Sequence, residues 1–444
     1  MAEPTRSDLP FYLRGIHAPV DREVESFELP VEGTIPPEID GLFVRNGPNP
    51  AKGDPGHWFL GDGMLHGVRF ERGRPAWYRN RFVRTRALAG EARYIGPDGS
   101  VDFTAGVANT HVVAHAGRIL ALVENGFPWE VDGDLETIGY HDFDGRLEGP
   151  MTAHPKRCAE TGEMHFFGYH FAPPYLRYHR ANAEGVLEFS REIDIPRPII
   201  MHDFAITRNH VNFIDLPLCF SAERAMKGGM PYAFEDDVPA RLGVLRRDAP
   251  ESEIIWLDID PCFVFHPMNA FEAAGRIVLD VARYDSLWSR SAQVFDEAKL
   301  HRFEIDLEAR KVSERPLDDL AIEFPRIKES LNGLPNRFGY AGWTRNEGGI
   351  SGGGLVRYDL ETGTRDVWDG GGRITPAEAV FVPADEAGPE DEGWLLAFVY
   401  DYAREKSDLA VFDATRVDRG PIARVELPQR VPLGFHGSFV PTRD

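Results

Sequence analysis

The sequence has little cysteine and no long apolar run. Among its 444 residues only Cys158, Cys219 and Cys262 are cysteines, and no two of them form a CxxC pair. That usage excludes a disulfide scaffold and a thiolate metal site, and it is typical of a reducing compartment. No stretch of about 18 apolar residues is present, so we expect no transmembrane helix.

Basic runs and a secretory leader are also missing. The N-terminal stretch MAEPTRSDLPFYLRGIHAP has no apolar segment after a basic start, so no signal peptide is predicted. The formal net charge is −22, which repels phosphate backbones and gives no electrostatic attraction to anionic lipid. We therefore expect a cytoplasmic protein that does not bind nucleic acid, with an acidic surface that favours solubility.

The residues that are present indicate an all-β fold. Gly (44) and Pro (34) are spread throughout, and they separate short segments rich in Val, Ile, Phe, Tyr and Leu. Four strand–turn–strand units can be read directly. They cover residues 175–193, 301–317, 354–368 and 409–428.

The recurrence of these hairpins favours a β-propeller over a sandwich or a two-domain β protein, since each propeller blade is a small sheet packed on its neighbours. No linker or low-complexity tract divides the chain, so we expect a single domain over residues 1–444. The acidic stretch 384–393 is predicted to be an exposed loop.

Four of the 15 histidines lie in apolar segments next to Pro, Gly or Asp. A buried neutral imidazole needs a partner for its ring nitrogens, and a metal ion can be that partner. The four segments are too far apart for a zinc finger or an HExxH helix, but they suit ligands given by separate blades. These histidines are His154, His202, His266 and His436.

Taken singly, each of these residues is more often a hydrogen-bonded core histidine than a ligand. A site made only of imidazoles suits zinc, copper, iron or nickel, and it needs carboxylates nearby to accept the outer ring N–H groups. Glu124, Glu323 and Glu378 interrupt apolar runs and are the candidates. The other histidines are interpreted as ordinary residues, with His66 and His111 the least typical.

The motifs together resemble the carotenoid cleavage oxygenase family. They include GLFVRNGPNP from Gly41, HWFLGDGMLH from His57, ANTHVV from Ala108, EFPRI from Glu323 and the four histidine segments. The resemblance implies a seven-bladed β-propeller, capped by loops and short helices, with one Fe(II) per chain on its axis. It implies ligation by His154, His202, His266 and His436, orientation of three of them by Glu124, Glu323 and Glu378, and a catalytic-site role for Thr110.

The family resemblance also implies the reaction, which is cleavage of a conjugated C=C bond by O2 to give two carbonyl products. We expect Phe59, Val123 and Phe127 to line the pocket for a hydrophobic alkene. In stilbene-cleaving members a lysine that contacts the substrate hydroxyl precedes the residue matching Glu124. Val123 stands there, which favours a carotenoid, an apocarotenoid or a similar apolar polyene, with a stilbene or phenylpropanoid as the alternative.

Access to a membrane-dissolved substrate would require peripheral membrane contact. The segment Phe213–Phe220 and the residues 226–232 after it are the candidate apolar patch, although a buried strand and a loop explain them equally well. Monomer and homodimer both remain open. The rival functions are a non-catalytic propeller that binds no metal, and a calcium-dependent propeller hydrolase, which would need oxygen ligands. A third alternative lies within the family, as an isomerase or an inactive homologue.

Overall fold

The computed structural model describes residues 9–227, 230–289, 291–292, 294–345, 351–372, 374–376 and 378–442. Within these ranges the regular structure is almost wholly antiparallel strand. Branched and aromatic side chains fit a pleated surface, which is why the short Val-, Ile- and Phe-rich segments form strands. The strands build seven small sheets, called blades 1 to 7 in chain order.

Blades 1 to 4 contain four or five strands each, and each strand is hydrogen-bonded to the next one named. Blade 1 consists of Glu25–Ser26, Arg74–Phe82, Gly63–Glu71, Gly41–Pro48 and Gly437–Pro441. Blade 2 consists of His111–His115, Arg118–Leu122, Trp129–Val131 and Thr137–Tyr140. Blade 3 consists of Lys156–Arg157, Met164–Tyr169, Leu176–Ala181 and Leu187–Glu192. Blade 4 consists of Ala205–Ile206, His210–Asp215, Ala240–Arg246 and Ile255–Ile259.

Blades 5 and 6 share the long strand Lys311–Arg326, whose first part pairs with blade 5 and whose last residues pair with blade 6. Blade 5 also contains Phe263–Ala273, Arg276–Tyr284 and Ala298–Asp306. Blade 6 also contains Phe338–Arg345, Ser351–Asp359 and Thr364–Trp368. Blade 7 consists of Ile374–Pro376, Val380–Pro383, Gly393–Asp401, Lys406–Asp413, Pro421–Glu426 and Val31–Gly33. A separate hairpin joins Leu218–Phe220 to Tyr232–Phe234.

Strands that are distant in sequence close the ring. Gly437–Pro441 pairs with Gly41–Pro48 in blade 1, and this pairing places Gly437 opposite Arg45. Val31–Gly33 completes blade 7 by pairing with Pro421–Glu426. Two strand pairings therefore connect the first and last parts of the fold.

Hydrophobic cores lie between successive blades. Strand Arg118–Leu122 of blade 2 shows how one strand serves two of them, because successive side chains point to opposite faces. Leu120 and Leu122 pack against blade 3, whereas Ala121 packs against blade 1. Similar cores join blades 3, 4 and 5, blades 5 and 6, blades 6 and 7, and blades 7 and 1. Each blade is thus held on both faces.

Short helices occupy the segment before the first strand and several connections between strands. The α-helices are Arg86–Ala89 and Ala222–Lys227. The 3-10 helices are Phe11–Leu13, Gly15–His17, Trp58–Leu60, Phe103–Ala105, Glu329–Leu331, Gly370–Gly372 and Val417–Arg419. In the part of the chain that the structure describes, no helix is long and apolar enough to cross a membrane.

Side-chain hydrogen bonds stabilise the turn of one hairpin that the sequence predicts. Between the last two strands of blade 3, the Asn182 side chain accepts hydrogen bonds from the backbone N–H groups of Glu184 and Val186. Gly185 then has φ +82°, a conformation that glycine adopts without a steric penalty. The predicted seven-bladed, all-β fold is confirmed, and the four predicted hairpins are present.

The predicted apolar surface patch is wrong in its first part. Phe213, Leu216 and Leu218 are fully buried, so the segment Phe213–Phe220 is a strand and hairpin of the core. The apolar residues of this segment face the packed interior because it lies between neighbouring blades. Met226, in the helix that follows, is 82% exposed, and positions 228 and 229 lie outside the described residues.

Candidate metal centre

The four predicted histidines meet at one point. His154 and His202 lie just before the first strands of blades 3 and 4, His266 lies in the first strand of blade 5, and His436 directly precedes the closing strand of blade 1. All four are buried, and one ring nitrogen of each lies within 4.8 Å of the others. Four separate blades therefore contribute one imidazole each to a common centre.

Irregular pairing places His266 and its neighbour Glu323. The pairing of the first two strands of blade 5 shifts in register on both sides of Pro267, which has no N–H group to donate to the neighbouring strand. A second shift follows Glu323, and Phe324 there has φ +55°, which is rare for a bulky residue. The Phe324 ring packs against His266 and His436, with centroid distances of 5.3 and 5.2 Å.

Backbone contacts between blades fix His436. Its carbonyl oxygen accepts a 2.9 Å hydrogen bond from the Asn46 N–H of blade 1. Its own N–H donates over 3.1 Å to the carbonyl of Thr110, just before blade 2. The Asn46 side chain also donates to the carbonyl oxygens of Ala108 and His111. His436 is consequently held in the seam between blades 1 and 2.

Three of the four imidazoles donate their outer N–H group to a buried or half-buried carboxylate. His266 Nδ1 lies 2.5 Å from Glu323 Oε2, and His436 Nδ1 lies 2.9 Å from Glu378 Oε1. His202 Nδ1 pairs with Glu124 Oε1. The three predicted glutamates thus stand next to the three histidines, where they determine which ring nitrogen carries the proton.

Additional donors hold these carboxylates. Tyr284 Oη donates to Glu323 over 2.7 Å, and Tyr169 Oη donates to Glu124. Burial, together with the adjacent carboxylate, raises the pKa of both phenols well above the usual value, so each stays a neutral donor. The Gly437 N–H donates to Glu378 over 2.8 Å, and Arg326 lies 3.4 Å from the same carboxylate. No sequence pattern marks these tyrosines, which resemble ordinary strand residues.

The inner nitrogens fit a cation. Glu124 and Glu323 accept at Nδ1 of His202 and His266, which leaves Nε2 of each ring as the nitrogen that can bind an ion. These two Nε2 atoms lie 3.1 Å apart, which is hydrogen-bond distance, and a bound cation would take the place of a proton between them. His154 Nε2 is buried without a hydrogen-bond partner in the described structure, as a metal ligand would be.

Burial keeps two imidazoles of the centre neutral. It lowers the pKa of His154 and His436 well below 6.5, and the neighbouring histidines lower it further. Burial lowers the pKa of His266 as well, but the Glu323 carboxylate outweighs this and raises it above 6.5. Neutral nitrogen donors are the form that divalent metal ions bind.

His154 differs from the other three. The carboxylate nearest to its Nδ1 is Asp203, at 3.8 Å, which is beyond hydrogen-bond distance. Lys156 occupies that carboxylate instead, with its Nζ 2.8 Å away. Burial raises the pKa of Asp203, and the Lys156 ammonium opposes the rise. Sequence reasoning missed both residues, because an acid and a lysine at strand ends usually face solvent.

Thr110 and His111 also adjoin the centre. The Thr110 hydroxyl donates over 2.9 Å to Asn109, and its backbone carbonyl accepts from His436. His111 Nδ1 donates over 2.8 Å to the Ala153 carbonyl, and its ring centroid lies 5.1 Å from that of His436. His111 thus packs against the ligand group without belonging to the four-histidine cluster. His66 instead pairs with the Tyr78 hydroxyl.

Phe59 belongs to an aromatic cluster beside the centre. Its ring contacts Phe265 and Phe435, at centroid distances of 6.4 and 5.6 Å. Phe265 in turn packs edge-on against His202 at 4.8 Å. The adjacent Trp288 and Phe295 complete the group. This packing surrounds the histidines with apolar rings on one side.

Val123 and Phe127 lie on the blade 2 side. Val123 is buried, and its Cγ1 fills the space that side chains at Gly106 and Gly126 would need. Phe127 belongs to a row of half-buried rings in mutual contact, which runs between the connections of blades 2, 3 and 4. The row consists of Tyr94, Phe103, Phe127, His170, Phe171, Phe220 and Tyr232.

Comparisons of sequence agree with this picture. A "carotenoid cleavage oxygenase" of Mycobacterium tuberculosis is 36% identical over 97% of both chains. A "carotenoid 9,10(9',10')-cleavage dioxygenase" of Crocus sativus is also 36% identical, over 97% of this chain and 89% of its own. The model of the family described as "retinal pigment epithelial membrane protein" matches residues 17–441.

Comparisons with solved structures also find oxygenases. A lignostilbene dioxygenase of Pseudomonas brassicacearum superposes with a TM-score of 0.88, at 29% identity, over 97% of this chain and 98% of its own. Cobalt-substituted apocarotenoid oxygenase of Synechocystis gives a TM-score of 0.84, at 28% identity, over 96% and 97%. The chain therefore belongs to the family of the retinal pigment epithelial membrane protein and the carotenoid cleavage oxygenases, and it is an enzyme of the dioxygenase class.

Proposed function

We propose that this enzyme binds one Fe(II) per chain and cleaves a conjugated C=C bond of an apolar polyene, a carotenoid or apocarotenoid. The observation that carries the proposal is the buried four-histidine cluster, in which the Nε2 atoms of His202 and His266 lie 3.1 Å apart. Buried neutral donors arranged in this way bind a divalent ion. The names of the relatives support the reaction class.

The donor set alone suits zinc, copper, iron or nickel. Iron is the ion we propose because an oxygenase needs a metal with accessible redox chemistry, which zinc lacks. When bound, Fe(II) supplies the site at which O2 is activated toward the alkene. One O2 and one alkene then give two carbonyl compounds, so that both oxygen atoms enter products and no external reductant is consumed.

The residues of the chain bind, orient and exclude water. The four imidazoles hold the ion, and Glu124, Glu323 and Glu378 fix the orientation of three of them. Thr110 keeps its hydroxyl turned to Asn109, so that the methyl group is the part left to meet other groups. The Phe59 cluster provides flat apolar walls, which suit a flat conjugated substrate.

A hydroxylated stilbene or phenylpropanoid is the second candidate substrate. Val123 has no polar group to bind a phenol, which supports the apolar polyene. The half-buried rings of Tyr94 and Tyr232, however, have hydroxyl groups without a hydrogen-bond partner among the described residues. Such donors could bind an oxygen atom on the substrate, and they are the observation that favours this alternative.

Metal analysis and oxygen uptake test the proposal. Anaerobically reconstituted protein should contain about one iron per chain and consume one O2 per alkene cleaved. With ¹⁸O2, each of the two carbonyl products should carry label. A panel of apocarotenoids, stilbenes and 4-hydroxystilbenes separates the two substrate classes. Iron-loaded protein that consumes no O2 with any of them, or that only isomerises them, would contradict the proposed reaction.

A further inference from the structure

The four ligands differ in the support that their outer nitrogens receive. Three Nδ1–H groups donate to carboxylates, whereas His154 Nδ1 has no hydrogen-bond partner in the part of the chain that the structure describes. Asp203 Oδ2 lies 3.8 Å from it, about one ångström too far. A small displacement of this carboxylate would give His154 the same support as the other three.

Two donors keep Asp203 from making that contact. The Lys156 ammonium lies 2.8 Å from each carboxylate oxygen, and the Phe204 N–H donates to Oδ1 over 2.7 Å. Asp203 is only 3% exposed, so its charge has little competition from water. Lys156 lies two residues after His154, and Asp203 directly follows His202. The ion pair therefore connects two ligand segments.

Negative charges outnumber positive charges around the centre. The carboxylates of Glu124, Glu323, Glu378 and Asp203 contribute four negative charges, and Lys156 and Arg326 contribute two positive charges in contact with them. Arg326 also pairs with Glu329 at 2.7 Å, so carboxylates outnumber cations around the four histidines, which suits a bound cation. Loss of the Lys156 charge would leave an excess negative charge beside the ion.

We propose that Lys156 is a positioning residue, which holds Asp203 away from His154 and so makes His154 the weakest donor of the four ligands. An imidazole without a carboxylate partner is a less basic ligand, and such outer partners typically change metal affinity about 10- to 100-fold. The inference rests on metal binding by the four histidines and does not depend on which alkene the enzyme cleaves.

Substitutions with opposite effects test the proposal. Lys156→Met keeps the length of the side chain and frees Asp203 to accept from His154, so the dissociation constant for Co²⁺ should fall about tenfold. Asp203→Asn should raise it about tenfold, because Lys156 then lacks its counter-charge. The double variant should lie within about threefold of the parent. Lys227→Met, at an exposed ion pair with Glu223, is the matched control and should change nothing.

Competition with a chelator, without O2 or substrate, measures these constants. In the Co²⁺ protein, Lys156→Met should also add a fourth slowly exchanging, paramagnetically shifted imidazole N–H signal, which a loss of general packing would not produce. If Lys156→Met does not fold, Asp203→Asn and the double variant decide the matter. Folded Lys156→Met that binds Co²⁺ no more tightly than the parent, or Asp203→Asn with parental affinity, would overturn the proposal. Parental Co²⁺ binding without oxygenase activity would instead count against the proposed function.

Discussion

Glu323→Gln should weaken metal binding without disrupting the fold. Glu323 is 1% exposed and accepts from His266 Nδ1 at 2.5 Å, from the Phe324 N–H at 2.6 Å and from Tyr284 Oη at 2.7 Å. A glutamine oxygen can keep the first two contacts. Its amide N–H then faces Tyr284, whose hydroxyl can rotate to accept. The substitution therefore removes the charge and keeps the shape.

The magnitude follows from that difference. A hydrogen bond to a charged group contributes about 1 to 1.5 kcal/mol more than a neutral one, which alone is about a tenfold change in affinity. The lost charge beside a dication adds to this, so the expected increase in the Co²⁺ dissociation constant is about 10- to 100-fold. Glu323→Ala leaves three buried donors without acceptors, and it should lower the free energy of unfolding by at least about 3 kcal/mol.

A matched control lies in the same strand as His266. Glu272 accepts from His210 Nδ1 at 2.9 Å, about 20 Å further along, outside the four-histidine cluster. Glu272→Gln should leave Co²⁺ affinity unchanged, because it alters a histidine–carboxylate pair that holds no ligand. Chelator competition and thermal unfolding, applied to both variants, separate affinity from stability. Equal affinity losses in the two variants, or less than a twofold loss in Glu323→Gln, would refute the reasoning.

Three further outcomes are expected. His266→Ala should abolish iron retention and O2 uptake, and normal turnover with full iron content would remove the ligand assignment. Val123→Lys should raise activity on 4-hydroxystilbenes, unless the parent already cleaves them well, which would mean that the pocket was misinterpreted. Burial lowers the pKa of His179 to about 3. Below pH 6.5 the unfolded chain therefore binds more protons than the folded chain, and the free energy of unfolding decreases as the pH is lowered. The free energy of unfolding of the metal-free parent, measured by denaturant titration, should decrease between pH 7.5 and pH 5. In metal-free His179→Phe this decrease should be smaller by about 2 kcal/mol.

The apolar segments made these four imidazoles candidates, and the family resemblance identified them as ligands. His202 and His266 each interrupt a run of residues that the structure buries, and so does Glu323. A buried polar group needs a hydrogen-bond or metal partner, and a polar residue within an apolar segment indicates this requirement from the sequence alone. Tyr169 and Tyr284 could not be found in the same way, because a tyrosine suits a strand whether or not its hydroxyl has a role.

The sequence pattern did not predict that blades 5 and 6 share one long strand. The hairpin prediction ended at Leu317, whereas the strand continues to Arg326. Its second half contains Asp318 and Asp319 and a register shift, so it lacks the alternation that marks a strand. Similarly, Lys156 and Asp203 come together only because blades 3 and 4 are neighbours. Such pairings arise from the arrangement of blades and not from local sequence.

The position of His436 has a consequence for the biosynthesis of the enzyme. This ligand directly precedes the strand that closes the ring, while the other three lie at residues 154 to 266. During translation the first three imidazoles can emerge early, but the four-coordinate cage forms only when the closing strand has paired with blade 1. An ion bound by all four ligands then favours the closed ring over any opened one, by about 2.7 kcal/mol at a free concentration 100 times its dissociation constant. A metal ion bound by all four histidines would thus hold the ring closed, and metal-starved cells should accumulate a ring that opens more readily to proteases.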